Sequence, residues 1–250
     1  VLWRLILQGL ADLIWPPRTR CLVCEEPLAG CSEPVGLVCD ACLNSMAFDP
    51  HEVRCANCTR PAYASDGLCA ECAAGSPFGV VFSLGPHAGA LREAVHHLKF
   101  EDRTELGAVL GRRLARRISV KFDCVVPVPL HRSRLRERGY NQAAIIGRQL
   151  ADASGIPMHE DMLVRLRGTG HQAKLQRRNR LHNLQGAFGV TTATPPWAGG
   201  RVLLVDDVLT TGATAAAAAT ELYGSGARSV DLAVLAVSTT LVKGKLKTSP

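Results

Sequence analysis

The chain has 250 residues, enough for one large or two modest domains. It is 47% hydrophobic and 20% charged, the balance of a soluble globular protein rather than of a disordered chain. A formal net charge of +7 favours an anionic partner such as a nucleotide, a nucleic acid or a phosphorylated metabolite, with a basic surface that only aids solubility as the plain alternative.

The first segment, VLWRLILQGLADLIWPP (1–17), repeats Leu2, Ile6, Leu10 and Leu13 at helical spacing. It predicts an amphipathic helix stopped by Pro16 and Pro17. Arg4 and Asp12 interrupt an apolar stretch that is already too short for a membrane span, so no integral membrane segment is expected. There is no basic leader or small-residue cleavage site, and the expected location is cytoplasmic.

Residues 18–75 hold nine of the ten cysteines and have little periodicity. Eight of them fall in C-x-x-C pairs: Cys21/Cys24, Cys39/Cys42, Cys55/Cys58 and Cys69/Cys72. That spacing favours zinc over disulfides, because one C-x-x-C turn supplies two of the four soft ligands of a tetrahedral site. Two structural zinc ions are therefore expected, paired in sequence order, with an interleaved pairing left open. A module this poor in core would draw its folding energy from the metal, roughly 10–16 kcal/mol per site. Four thiolates leave no open position, so catalytic zinc is not expected. A structural or docking role is the first reading and nucleic-acid contact the second. Cys31 reads as a spare thiol, or as a stand-in ligand if one site is irregular, and Cys124 as a buried core residue. No long-period repeat is apparent.

From residue 76 to 240 the chain alternates strands and helices. Strands are predicted at 79–84, 122–130, 162–166, 186–190, 201–205 and 229–237, and helices at 90–100, 104–118, 141–155 and 214–224. The fold class is α/β, a doubly wound parallel sheet covered on both faces and preceded by the small Cys-rich module. Residues 241–250 form a short basic tail.

Residues 202–214 read VLLVDDVLTTGAT. Four apolar residues predict a central strand ending at Val205, with Asp206 and Asp207 at its carboxyl edge, where doubly wound sheets bind ligands. The following turn opens a helix, whose N–H groups and positive end make an anion cradle. Thr210, Thr211 and Thr214 add hydroxyls, and Gly212, followed by Ala213, lets the backbone come close. The cradle suits a phosphate. The two carboxylates suit sugar hydroxyls and a hydrated divalent cation. Asp and Thr acting only as helix caps is the plain alternative, but one such residue would suffice for that.

This run resembles the phosphoribosyl-diphosphate signature of type I phosphoribosyltransferases. Together with PVPLHRSRLRERGYNQA (127–143), HQAKLQRRNRLHNLQGAF (171–188) and the leading C-x-x-C module, the chain is similar to the ComF/GntX family over nearly its whole length. The resemblance implies a double zinc ribbon followed by a phosphoribosyltransferase-like domain. It implies phosphoribosyl diphosphate and Mg²⁺ as ligands, and a role in DNA uptake and processing or in nucleotide metabolism, with single-stranded DNA and uptake-machinery proteins as candidate partners. By the same resemblance Asp206 and Asp207 would hold the ribose hydroxyls, directly or through Mg²⁺, and would carry any catalysis. Residues Thr210 to Thr214 would hold the 5-phosphate, and the loop starting at Pro127 and Val128 would face the diphosphate, with Lys99 and Arg138 as further phosphate candidates.

Between Arg112 and His182 there are sixteen Lys or Arg and five acids, more cations than one diphosphate needs. A nucleic-acid backbone would explain the surplus, and a solvated face is the alternative. Arg134, Arg136 and Tyr140 lie in the first dense stretch, which reads as loop or loop–helix junction. Gln172, Lys174, Arg180 and Asn183 lie in the second, an irregular segment long enough for a lid. His96, His97, His171 and His182 read as surface histidines. Three functions fit: a Mg²⁺-dependent phosphoribosyltransferase-like protein, a single-stranded DNA-handling factor without turnover, and a nucleotide-binding regulator.

Overall fold

The structure, a computed structural model of the chain, describes residues 20–28, 37–62, 67–166 and 186–238. The expected helix over 1–17, Cys31, the lid candidates Gln172, Lys174, Arg180 and Asn183, and the basic tail lie outside these described residues.

The elements in chain order are α1 (Asp40–Ser45), α2 (Ala70–Ala73), β1 (Val81–Pro86), α3 (Gly89–Phe100), α4 (Glu105–Ala115), β2 (Cys124–Pro127), α5 (Arg132–Arg138), α6 (Gln142–Ser154), β3 (Leu163–Arg165), β4 (Phe188–Val190), β5 (Arg201–Leu209), α7 (Ala213–Gly224) and β6 (Ser229–Val237). Four strands form a parallel sheet in the order β1-β6-β5-β2. Residues 157–159 extend it beyond β2, where Val125 N donates to Pro157 O and His159 N to Val125 O, both at 2.9 Å.

Strand alternation sorts the core onto two faces. Val202 and Leu204 of β5 point to the face covered by α7, together with Trp197, Val230 and Leu232. Leu203 and Val205 point to the other face, against Leu91 and Leu98 of α3, Leu110 of α4 and Ile146 of α6. Helices α4 and α6 come close because Gly111 lacks a side chain: a Cβ there would sit 2.7 Å from Ile146 O. The predicted glycine stop of α6 is Gly155, at φ 66°.

Three local expectations are corrected. Strand β5 runs on to Leu209 instead of ending at Val205, because the long apolar β6 keeps pairing with it as far as Leu209↔Val237. Strands β3 and β4 leave the parallel sheet and pair antiparallel with each other. Residues 132–138, expected as loop or loop–helix junction, are helical throughout as α5, closed by Gly139 at φ 81°. The alternation of Arg132, Arg134, Arg136 and Arg138 spreads the guanidinium groups around a short helix that buries none of its residues.

The cysteine module contains a tandem motif that its composition hid. RCLVCEEP (20–27) and RCANCTRP (54–61) fold alike. Arg20 bridges Pro27 as Arg54 bridges Pro61. Cys21 N donates to Glu26 O at 2.8 Å, and Cys55 N to Arg60 O at 2.7 Å. Glu25 and Thr59, the residues after each pair, both take positive φ, 62° and 58°. Each knuckle is completed by the N-terminus of a helix, with Cys39 capping α1 and Cys69 preceding α2. The repeat escapes composition-based reading because only Arg, two Cys and Pro are shared.

The two knuckles straddle β1. The first packs with the core on the α3 side, and the second with the core on the α7 side. Arg103 ties the first knuckle down, donating to Leu22 O at 2.7 Å and pairing with Glu25 at 2.6 Å. The second is stitched to β1 itself, with Val81 N donating to Asn57 O at 2.7 Å and Thr59 Oγ1 2.9 Å from Ser83 Oγ.

Candidate functional site

Ligand atoms of Cys21, Cys24, Cys39 and Cys42 lie within 4.8 Å of one another, and so do those of Cys55, Cys58, Cys69 and Cys72. This is the sequential pairing. The Sγ atoms of Cys24 and Cys39 are 3.8 Å apart, and those of Cys58 and Cys69 are 3.4 Å apart. A tetrahedron with metal–sulfur bonds of about 2.3 Å has edges near these lengths, so both clusters fit zinc. Val23 N and Cys39 N point at Cys21 Sγ, each at 3.4 Å, as amides do around a thiolate. Burial opposes ionisation of Cys21, but N–H groups of Cys24, Cys39 and Val23 outweigh it and bring the thiol down to about 7. Burial pushes the Cys42 and Cys58 thiols up, so a cation is needed to hold all four sulfurs ionised. Two Cys₄ clusters of this form fit a double zinc ribbon. Cys124 lies outside them in β2, where burial pushes its thiol up to about 12, as expected of a core residue.

The second candidate centre lies at the carboxyl end of the sheet. Strand β2 stops pairing at Pro127↔Val205, and Val128 N donates to Val205 O at 2.8 Å. Beyond that point the β2 side of β5 has no strand partner among the described residues. Asp206 and Asp207 stand in this opening, beside Pro127 and Val128. Asp207 N donates to Asp206 Oδ1 at 2.8 Å. Burial and the neighbouring Asp207 push the Asp206 carboxyl up to about 7. A half-buried, desolvated acid beside a like charge is a place where a cation or a hydroxyl donor relieves an existing cost.

Cations surround the pair. Lys99, in the last turn of α3, puts Nζ 2.8 Å from Asp207 Oδ1, so this helix end does face the site. The charge of Arg165 of β3 also acts on Asp206. Burial and then the charge of Arg134 pull the Arg165 guanidinium below its ordinary value, with Asp206 opposing. His87, in the loop after β1, is held below its ordinary value by burial and then by Lys99 and Arg92, again with Asp207 opposing. Arg165 and His87 were missed by sequence reading. Arg165 looked like one alternating polar residue of a short strand, and His87 sat alone between two elements.

The run after β5 is a cradle at the start of α7. Gly212 caps the helix at φ 80° with no side-chain hydrogen bond, leaving the first N–H groups for another partner. Ala213 N leans toward Thr211 Oγ1 at 3.4 Å. Asp206, Thr210, Gly212 and Thr214 line one small pocket. A Cβ on Gly212 would meet Leu209 Cδ1 at 3.4 Å.

Other predicted residues are placed apart. Arg138 lies over the Phe100 ring at 5.2 Å. Tyr140 donates to Leu98 O at 2.6 Å and packs against the core, which ties up its hydroxyl. Arg134 stands near Arg165, whereas Arg136 is exposed on α5. A cleft of about 950 Å³ separates α5 and α6 from β3, with His131, Arg132, Asn141, Arg148 and Arg165 among its walls. His96 and His97 meet Glu101 at 3.5 and 2.7 Å, but Arg103 holds the same carboxylate at 3.2 Å.

Comparison with known proteins matches the chain to two domain families. Residues 10–73 match the double zinc ribbon domain, and residues 104–247, more than half the chain, match the phosphoribosyl transferase domain. The DNA utilization protein YhgH of Salmonella typhimurium is 31% identical over 221 residues, covering 85% of this chain and 94% of that protein. The chain belongs to the ComF family. Another relative, competence protein F of Haemophilus influenzae, is 28% identical over 204 residues, covering 78% of this chain and 86% of its own length. Among solved structures, adenine phosphoribosyltransferase from Leishmania donovani aligns at TM-score 0.38 and 16% identity, over 70% of this chain and 92% of that chain. Glutamine phosphoribosylpyrophosphate amidotransferase from B. subtilis aligns at TM-score 0.37 and 24% identity, and this chain spans only 25% of its length. No helix among the described residues is long and apolar enough to cross a membrane.

Proposed function

We propose that this ComF-family chain binds phosphoribosyl diphosphate with Mg²⁺ at the carboxyl end of its sheet. Asp206 and Asp207 face the ribose hydroxyls, the cradle Thr210–Thr214 takes the 5-phosphate, and the loop at Pro127 and Val128 faces the diphosphate. The observation that carries the reading is the acid pair at the opening beyond β2, with one carboxyl raised to about 7 and the cations Lys99 and Arg165 beside it. Hard carboxylate oxygens suit Mg²⁺, which would neutralise the departing diphosphate. Lys99 and Arg165 orient anionic ligand groups, and His87, kept neutral, adds a hydrogen bond without a charge. Binding and orientation, more than a strong base, would drive transfer of the phosphoribosyl group. The setting of this activity is DNA uptake in the cytoplasm, alongside uptake-machinery proteins.

Calorimetry with phosphoribosyl diphosphate and Mg²⁺ tests the reading. Binding by the parent protein that disappears in Asp206→Asn, Asp207→Asn supports it. No binding by the parent overturns it.

A second reading is favoured by the cleft of about 950 Å³ beside α5, whose exposed arginines outnumber what a diphosphate needs. There the chain binds the backbone of single-stranded DNA. A gel shift across a salt series should weaken steeply as salt rises. A shift that is absent, or that salt leaves unchanged, removes this reading.

A further inference from the structure

The second zinc knuckle does not stop at β1. Arg60, the seventh residue of its RCANCTRP motif, extends its side chain to the phosphate cradle, where Nη2 donates to Thr210 O. Its backbone is fixed at the same time, since Arg60 O accepts from Cys55 N at 2.7 Å and so closes the turn that carries Cys55 and Cys58. One residue therefore joins the metal knuckle to the loop that opens α7, across 150 positions of sequence. Phe78, which follows α2, adds a second contact surface: its ring would lie 3.8 Å from a Cβ on Gly212.

The tandem motif supplies an internal comparison. The matching residue of the first knuckle is Glu26, which makes the same backbone bond to Cys21 N but faces solvent. The knuckle turn thus accepts either charge at this position. An arginine is not needed to build it, and its presence in the knuckle that faces the cradle calls for another reason. Among the described residues, Thr210 O is the partner of the Arg60 guanidinium.

We propose that Arg60 is a positioning residue for the phosphate cradle, so that the second zinc knuckle, and not the first, is part of the sugar-phosphate site. Arg60 withdraws the Thr210 carbonyl from the cradle and leaves the following N–H groups turned toward the ligand. Metal occupancy of Cys55, Cys58, Cys69 and Cys72 and phosphate occupancy of the cradle are then linked, and linkage is reciprocal. This inference rests on the phosphoribosyl reading above.

The test uses the zinc-loaded full chain and two probes, ribose 5-phosphate and Mg²⁺-diphosphate, measured by calorimetry. Arg60→Ala should weaken ribose 5-phosphate roughly tenfold, as for loss of one charge-assisted hydrogen bond, and leave diphosphate unchanged. Arg60→Lys should recover most of the loss, and Glu26→Ala should behave as the parent. Zinc content of two ions per chain in every variant establishes that the knuckles are intact. A chromophoric chelator should draw one of the two zinc ions more slowly when ribose 5-phosphate is present, and Arg60→Ala should remove that protection. Equal affinity of parent and Arg60→Ala for ribose 5-phosphate, or an equal loss for both probes, overturns the inference while the phosphoribosyl reading stands. A parent that binds neither probe overturns both.

Discussion

Lys99 and Asp207 form an ion pair with 2.8 Å between Nζ and Oδ1, while Asp206 next door has no such partner at that distance among the described residues. The two adjacent carboxylates are therefore not equivalent. Lys99 compensates one, and the other, Asp206, is the weaker acid, with its pKa pushed up to about 7. Lys99→Met should remove that compensation, push the Asp206 carboxyl higher still and weaken phosphoribosyl diphosphate binding by roughly tenfold or more, in line with loss of a charged hydrogen-bond partner. Calorimetry at two pH values checks both effects together. Unchanged affinity would place Lys99 outside the ligand's reach.

The acid pair also sets a pH dependence. Asp206 is raised from 3.8 to about 7, so between these values the folded chain keeps a proton that the unfolded chain has lost. The folded state then binds more protons, and stability from this group falls as pH rises through the window and levels off above about 7. Urea unfolding of the parent against Asp206→Asn across that range should show the parent losing ground to the variant as pH rises. Mg²⁺ needs the ionised carboxylate, so its affinity should rise over the same interval. A flat difference between the two proteins would mean that Asp206 is an ordinary exposed acid.

Sequential zinc pairing predicts that damage stays local. Cys24→Ser should cost the ion held by Cys21, Cys39 and Cys42, and Cys58→Ser the ion held by Cys55, Cys69 and Cys72. Native mass spectrometry should count one remaining zinc in each variant. Loss of both ions from a single substitution would favour a shared or interleaved cluster.

The first knuckle's dock on the sheet depends on a bare backbone. A Cβ on Gly85 would lie 1.7 Å from Met46 O, so the residue after α1 approaches β1 more closely than any side chain permits. Gly85→Ala should destabilise the chain by about 1–3 kcal/mol through this overlap and expose the first ribbon to protease before the sheet. Gly89→Ala, where a Cβ has open space around it, is not a neutral control because φ is 48°. Gly224→Ala, with no atom within 4 Å of a Cβ and ordinary φ, is the suitable comparison.

Much of the framework was legible in the residues. The strand 229–237 falls where its apolar run predicts, because a strand buried on both faces writes itself as a continuous hydrophobic segment. The C-x-x-C pairs, the acid pair and the threonine cradle were legible for the same reason: each is a local pattern with one dominant chemistry. What was hidden was set by partners far along the chain. Asp206 and Asp207 lie within β5 rather than after it, and only the length of β6 decides that. The three residues of β3 leave the sheet to pair with β4, and that detour is what brings Arg165 to Asp206. Arg60 looks like a surface residue of a zinc knuckle until the fold lays Thr210 beside it.

The most direct measurement is a crystal structure of the zinc-loaded chain with phosphoribosyl diphosphate and Mg²⁺. The 5-phosphate is expected on the N–H groups of residues 211–214, the ribose hydroxyls at Asp206 and Asp207, and the diphosphate between Lys99 and the loop at Pro127. A ligand bound elsewhere, or density absent at saturating concentration, would contradict the assignment of this sheet edge as a phosphoribosyl site.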